Sequence, residues 1–260
     1  MTQLIDSHCH LDFPALDAER EEILQRCSEG GMAAIVIPGV SRSQWPRLHQ
    51  LVASHAQYQP RLFAAYGLHP YFTAEHQPGH VEELDQWLDN DAIAVGEIGL
   101  DAQEDDSDLP QQIELFRQQL SVARNHRLPV IVHARKTQDL VLKYVRESHL
   151  ETGGILHAFS GSLQQAERAV DMGFKIGFGG AASYERAHKL HRILRALPKE
   201  AIVFETDAPD IPPPFAQGEY NRPDHLFRIV ELLADVRQEP VAELWRNSTE
   251  NVCKLFGLNL

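Results

Sequence analysis

Only three cysteines occur in the chain, Cys9, Cys27 and Cys253, and none stands in a Cys-x-x-Cys pair. That leaves no disulfide framework and no thiolate metal site, and it fits a reducing compartment with all three as buried packing residues. No apolar run approaches the roughly 18–20 residues of a bilayer span, so no membrane partner is expected. The first residues lack the basic-then-apolar layout of a secretory signal, and the cytoplasm is the expected location. Basic residues are outnumbered, 24 Lys and Arg against 37 Asp and Glu, for a net charge of −13. That balance argues against a protein that coats long duplex DNA through a broad basic surface, but not against a cleft that is locally positive. No internal repeat, low-complexity tail or domain linker interrupts the chain, and residues 1–260 read as one domain large enough to bury a sizeable core.

What is present is a strand–helix rhythm without a break. Apolar, β-type runs fall at Gln3–Asp6, Ala33–Ile37, Leu62–Tyr66, Ala92–Glu97, Pro129–His133, Gly154–His157, Phe174–Gly177 and Ala201–Glu205. Most are short and nearly continuous in apolar character, as strands buried on both faces should be. Helix-length segments lie between them, including Asp17–Glu29, Ser43–His55, Val81–Leu88, Pro110–His126, Thr137–Ser148 and Ser162–Met172, with Asp224–Val236 and Val241–Leu255 after the last strand. Pro110 suits a first helical turn and Ser162 an N-cap. Ile113, Leu115, Phe116, Leu120, Val122 and Ala123 form an apolar stripe at helical spacing. Glu104–Asp108 reads as a solvated acidic loop, and Pro212-Pro213-Pro214 as a stiff one. About eight alternating units in 260 residues is the size of a TIM (β/α)₈ barrel. The rival is a doubly wound open sheet, which would need a Gly-rich phosphate loop after its first strand. Ser7-His8-Cys9-His10 stands there instead.

In such a barrel the C-terminal strand ends converge on one mouth. His8 and His10 follow the first strand, with Asp6 on the same face one step deeper as a supporting carboxylate. Glu97 ends the fourth strand, His133 the fifth, His157 the sixth and Asp207 the eighth. Four imidazoles and two carboxylates at one rim form a donor set for divalent ions such as Zn²⁺, Mn²⁺ or Fe²⁺, and a bridging carboxylate would let two ions sit about 3.5–4 Å apart. Asp207 is the expected proton acceptor for the attacking water. His69 faces inward by parity, as a ligand or a contact for substrate phosphate. Glu205 lies one step deeper than Asp207, in a supporting position. Asp101 is divided between the substrate mouth and a turn. Glycines 96, 99, 177, 179 and 180 are expected to permit close backbone approach.

Leu4-Ile5-Asp6-Ser7-His8-Cys9-His10-Leu11-Asp12, Gly96-Glu97-Ile98-Gly99-Leu100-Asp101, Leu156-His157-Ala158-Phe159-Ser160-Gly161 and Glu205-Thr206-Asp207-Ala208-Pro209 resemble the signatures of the TatD family of metal-dependent deoxyribonucleases, in particular its YjjV-like branch. The likeness runs nearly end to end, through Asn221-Arg222-Pro223 and Asn247-Ser248-Thr249. The resemblance implies a barrel of the amidohydrolase-superfamily type. It also implies that His8, His10, Glu97, His133, His157 and Asp207 ligate two divalent ions (Zn²⁺, Mg²⁺ or Mn²⁺), and that the substrate is DNA or another phosphodiester. One departure is visible: Ala134-Arg135-Lys136 follows His133, where the family commonly has a serine.

The expected protein is therefore a metal-dependent hydrolase acting on ester bonds, a deoxyribonuclease, working as a monomer. Arg135, Lys136, Arg186, Lys189 and Arg222 stand on loops facing the site as candidates for substrate phosphate, Arg135 and Arg222 foremost. Two alternatives remain open. A small-molecule amidohydrolase acting on an amide, lactone or phosphotriester commonly bridges its metals with a carboxylated lysine, and no lysine ends the fourth or fifth strand. A non-catalytic metal-dependent binding protein would need the ligands but not Asp207.

Overall fold

The computed structural model describes residues 3–89, 91–103 and 108–260. Eight strands form one parallel sheet in the order β1 to β8: Leu4–Asp6, Met32–Pro38, Arg61–Tyr66, Ala94–Asp101, Val130–Arg135, Gly154–Leu156, Phe174–Phe178 and Ile202–Phe204. Between and after them run α1 (Arg20–Glu29), α2 (Trp45–Ser54), α3 (Gly79–Trp87), α4 (Leu109–His126), α5 (Gln138–Ser148), α6 (Leu163–Asp171), α7 (His188–Ala196), α8 (Leu226–Arg237) and α9 (Val241–Phe256). This is the TIM barrel the alternation implies. The acidic loop expected at Glu104–Asp108 lies, except for Asp108, outside the described residues. Among the described residues no helix is long and apolar enough to cross a membrane.

Local sequence explains the element ends. Ser162 caps α6 in a reciprocal box: its hydroxyl accepts from Gln165 N–H while the Gln165 side chain accepts from Ser162 N–H. The Asp108 carboxylate accepts from Gln111 N–H to start α4, with Pro110 in the first turn. The fourth strand departs from expectation: it runs on past Glu97 to Asp101. The β4–β5 ladder shifts register between Val95 and Ile98. There Glu97 N–H turns to the carbonyl of Gly39 just beyond β2 (2.9 Å), so Glu97 sits in mid-strand at a bulge.

Two apolar layers hold the barrel. Strand residues facing the helices join the larger core, with Phe116, Leu120, Ile193 and Leu194 from the helices. Inside the barrel Ile5, Ala34, Val36, Ala65, Ile131, Ile155 and Val203 pack together, and α9 adds Val252 and Phe256 to the same cluster. No ladder joins β8 to β1 among the described residues. The seam is held instead by Ser7 N–H to the Phe204 carbonyl (3.1 Å) and by the Asp6 carboxylate, which accepts from Thr206 N–H (3.0 Å) and from the Thr206 hydroxyl (2.6 Å). Complete burial pushes the Asp6 carboxyl up to about 7, against the pull of these hydrogen bonds.

The α4 stripe carries a second difference. Its most buried line is Gln112, Phe116, Gln119, Leu120 and Ala123, while Ile113, Leu115 and Val122 are only half-buried. Gln119 grips the backbone of Leu68 at both ends, accepting from its N–H (2.8 Å) and donating to its carbonyl (3.0 Å). Gln112 accepts from Asp101 N–H (2.8 Å). Two buried amides, seven residues apart on one helix face, thereby set the loop that carries His69 and the end of β4. An apolar pattern cannot reveal them, because burial of an amide depends on a partner elsewhere in the chain.

Candidate metal centre

The barrel mouth brings the ring nitrogens and carboxylates of five strand ends into contact around Glu97. Its Oε2 lies 3.2 Å from His8 Nε2 and 3.4 Å from His10 Nε2. Asp207 Oδ1 lies 3.3 Å from His8 Nε2 and 3.7 Å from His10 Nε2, and the two Nε2 atoms are 3.3 Å apart. Four donors arranged tetrahedrally about one ion at about 2.1 Å stand about 3.4 Å from one another, so these spacings match such a set. The other oxygen, Glu97 Oε1, faces a second group: His157 Nε2 at 2.7 Å, His69 Nε2 at 3.0 Å and His133 Nδ1 at 3.2 Å. Yet Oε1 is buried and accepts no hydrogen bond of acceptable geometry. A buried carboxylate oxygen left unsatisfied among imidazole nitrogens is the chemistry of a cation site.

Outer partners fix which nitrogen faces inward in His10, His133 and His69. His10 Nδ1 is 3.3 Å from the Pro38 carbonyl, which holds its proton and leaves Nε2 as the inward donor. His133 Nε2 is 2.8 Å from Asp101 Oδ2, which does the same for its Nδ1. His69 is set the opposite way. Its Nδ1 accepts from Tyr71 N–H (3.0 Å), so the neutral ring carries its proton on Nε2, which lies 3.0 Å from Glu97 Oε1. Burial lowers the His69 pKa to about 4, which keeps it neutral. His69 is thereby placed as a support for Glu97.

Electrostatics centre on Glu97, whose carboxyl is held well below the ordinary range: burial opposes its charge, but the surrounding imidazoles outweigh it. Burial alone would lower the neighbouring histidines. Glu97 and Asp207 reverse that, raising His10 to about 8 and His157 to about 10. Protons on the rings thus neutralise a carboxylate pair, and ligation of a divalent ion at the same nitrogens would displace them. Burial raises Asp207 as well, and pushes Glu205 up to about 8. Glu205 does not line the cleft; its carboxylate accepts from Ala158 N–H, next to His157. Gly177 makes room for it, since a β-carbon there would lie 2.5 Å from Glu205 Oε2. Gly99, at φ +141°, is needed where β4 crosses the His133 backbone.

Two of the residues singled out in the sequence take unexpected places. Asp101 both closes a turn, accepting from Gln103 N–H (2.7 Å), and orients His133 across the β4–β5 ladder. In the ladder Gly99 lies opposite His133 and Asp101 opposite Arg135, so Asp101 meets His133 diagonally across the two strands. Arg222 lies against Asp224 (3.3 Å) and Glu219 (3.9 Å) and does not line the cleft among the described residues. Lys189 donates to the Ser160 carbonyl (2.6 Å). Arg135 is exposed on the cleft wall.

The cleft above the centre holds about 660 Å³. His10, Glu97, His133, His157 and Asp207 form its floor, and Phe13, Tyr71 and Phe72 stand around it. Tyr71 is 67% exposed although aromatic, edge-on to Phe72 at 5.3 Å.

Comparison with known proteins gives one consistent family. The model of the TatD-related DNase family matches residues 5–257. The chain is 39% identical over 259 residues to YjjV of Escherichia coli strain K12, named an uncharacterized metal-dependent hydrolase, with 98% of each chain covered. It is 30% identical over 260 residues to YabD of Bacillus subtilis strain 168, also named an uncharacterized metal-dependent hydrolase, covering 98% of this chain and 100% of that one. The crystal structure of the Escherichia coli K12 YjjV, a TatD homologue, matches with a TM-score of 0.93 over 98% of both chains.

Proposed function

Because this chain belongs to the TatD-related DNase family of metal-dependent hydrolases, we propose that it cleaves phosphodiester bonds, in DNA, at a centre of two divalent ions bridged by Glu97. His8, His10 and Asp207 would hold one ion with Glu97 Oε2, and His133 and His157 the other with Glu97 Oε1. The observation that carries this reading is the division of Glu97: its two oxygens face separate sets of ring nitrogens. When bound, the ions supply Lewis acidity, lowering the pKa of water and offsetting phosphate charge.

The chain's own groups do the rest. Asp207 lines the cleft and takes the proton of the attacking water. His69 holds its neutral ring against Glu97 Oε1, and Asp101 holds His133 in the tautomer whose Nδ1 points inward. Arg135 offers a guanidinium to a non-scissile phosphate oxygen, and Tyr71 and Phe72 offer faces on which unpaired bases can stack. Removing the charge of Asp101 by Asp101→Asn should weaken metal binding about 10- to 100-fold with the melting temperature nearly kept. Unchanged affinity, measured by competition with a chelator, would remove Asp101 from that role.

The test of the reading is salt dependence. A globally acidic protein attracts a polyanion only through a local positive mouth, so KM for single-stranded DNA should rise with salt as each engaged phosphate releases counterions. The slope should be shallow, since the cleft engages only about two or three phosphates. Arg135→Glu should raise KM severalfold with kcat nearly unchanged. Fast turnover of a neutral lactone or amide, with slow DNA cleavage and no salt effect, would reassign the substrate and leave the metal centre standing.

A further inference from the structure

The cleft continues past Ile211. Ala181 and Ile211 line both it and a second groove of about 400 Å³, whose other walls are Tyr184, Arg186, Ala187 and Pro212. The two sides of that groove are tied together, since the Tyr184 hydroxyl donates to the Pro212 carbonyl (3.0 Å). The Arg186 guanidinium rests on the Tyr184 ring, 5.0 Å from its centroid. It makes no ion pair among the described residues, in contrast to Arg222. A guanidinium stacked by one face keeps its N–H edge free, and that edge matches two phosphate oxygens at once.

Ile211 stands between the two compartments in a conformation that β-branched residues rarely adopt, with φ +47°. It is held there from both sides. Its carbonyl accepts from Asn221 Nδ2 (3.2 Å), and it packs against Gly180, where any β-carbon would collide with that carbonyl. Strain maintained by its surroundings at the edge of a site marks a position whose shape is used. Here it raises a ridge between the metal centre and the groove.

We propose that this groove is a second substrate subsite. It takes the phosphodiester next to the one at the metal centre, with Arg186 binding its phosphate and Ile211 separating the two nucleotides. This rests on the nuclease reading and adds to it a second phosphate contact: a ridge between neighbouring nucleotides holds them unstacked. Arg135 serves the first phosphate and Arg186 the second.

The experiment compares the metal-replete protein with its Arg186→Ala and Arg186→Lys variants on a deoxydinucleotide with one phosphodiester and a deoxytrinucleotide with two. For the unsubstituted chain, KM should fall at least fivefold from the shorter substrate to the longer. Arg186→Ala should abolish that gain and lower the salt slope of log kcat/KM on the trinucleotide by about 0.7, the share of one phosphate on a single strand. Arg186→Lys should recover part of both. If Arg186→Ala keeps the length gain and the slope, the subsite is wrong and the nuclease reading survives. If the unsubstituted protein cleaves neither oligonucleotide, the nuclease reading falls and the subsite with it.

Discussion

Asp207→Asn is expected to slow phosphodiester turnover about a thousandfold or more, roughly 4 kcal/mol of barrier, while the protein stays folded. The substitution isolates basicity. Asp207 sits at φ +57°, a left-handed conformation that asparagine tolerates as well as aspartate does. Its backbone N–H would still donate to the His8 carbonyl (2.9 Å), so the loop keeps its course. What disappears is the carboxylate charge beside His8 and His10, on a side chain that lines the cleft. Activity within tenfold of the parent, measured on freshly metal-loaded protein, would take Asp207 out of the proton transfer.

The second large effect belongs to Glu97. Glu97→Ala should leave at most one ion per chain by elemental analysis, and phosphodiester turnover should become undetectable. Removing the carboxylate deletes one donor from each group at once, and it takes from His10, His133 and His157 the anion that raises their pKa. The metal-free variant should therefore also melt well below the metal-free parent, because a buried imidazolium without a counter-charge is costly. Two ions per chain in this variant would mean that another group forms the bridge.

Much of this centre was legible in the sequence because barrel topology does the work of bringing it together. Once eight short strands alternate with helices, a residue at a strand's C-terminal end must reach the mouth, so His8, His10, His133, His157 and Asp207 could be gathered without knowing a single distance, and Glu97 joins them although β4 runs on past it. Choices of partner were harder to see. Asp101 reaches His133 because β4 runs on past Glu97, and strand length is the property a short apolar run defines least. Gln112 and Gln119 fall outside the apolar stripe of α4, and only the fold puts Asp101 and Leu68 within their reach. Arg222 looked like a substrate contact, yet Asp224, two residues on, accepts from it and also from Arg26 of α1 (2.9 Å). The left-handed turn at Ile211 has no sequence signal, because the residue type argues against it.

The most direct test of the account is a titration of metal-free protein with Mn²⁺ or Zn²⁺, following phosphodiester cleavage as a function of ions bound per chain. Activity that stays low through the first equivalent, rises through the second and then levels is the predicted result. Full activity at one ion per chain, or cleavage that persists with no ion bound, would contradict a centre in which Glu97 bridges two.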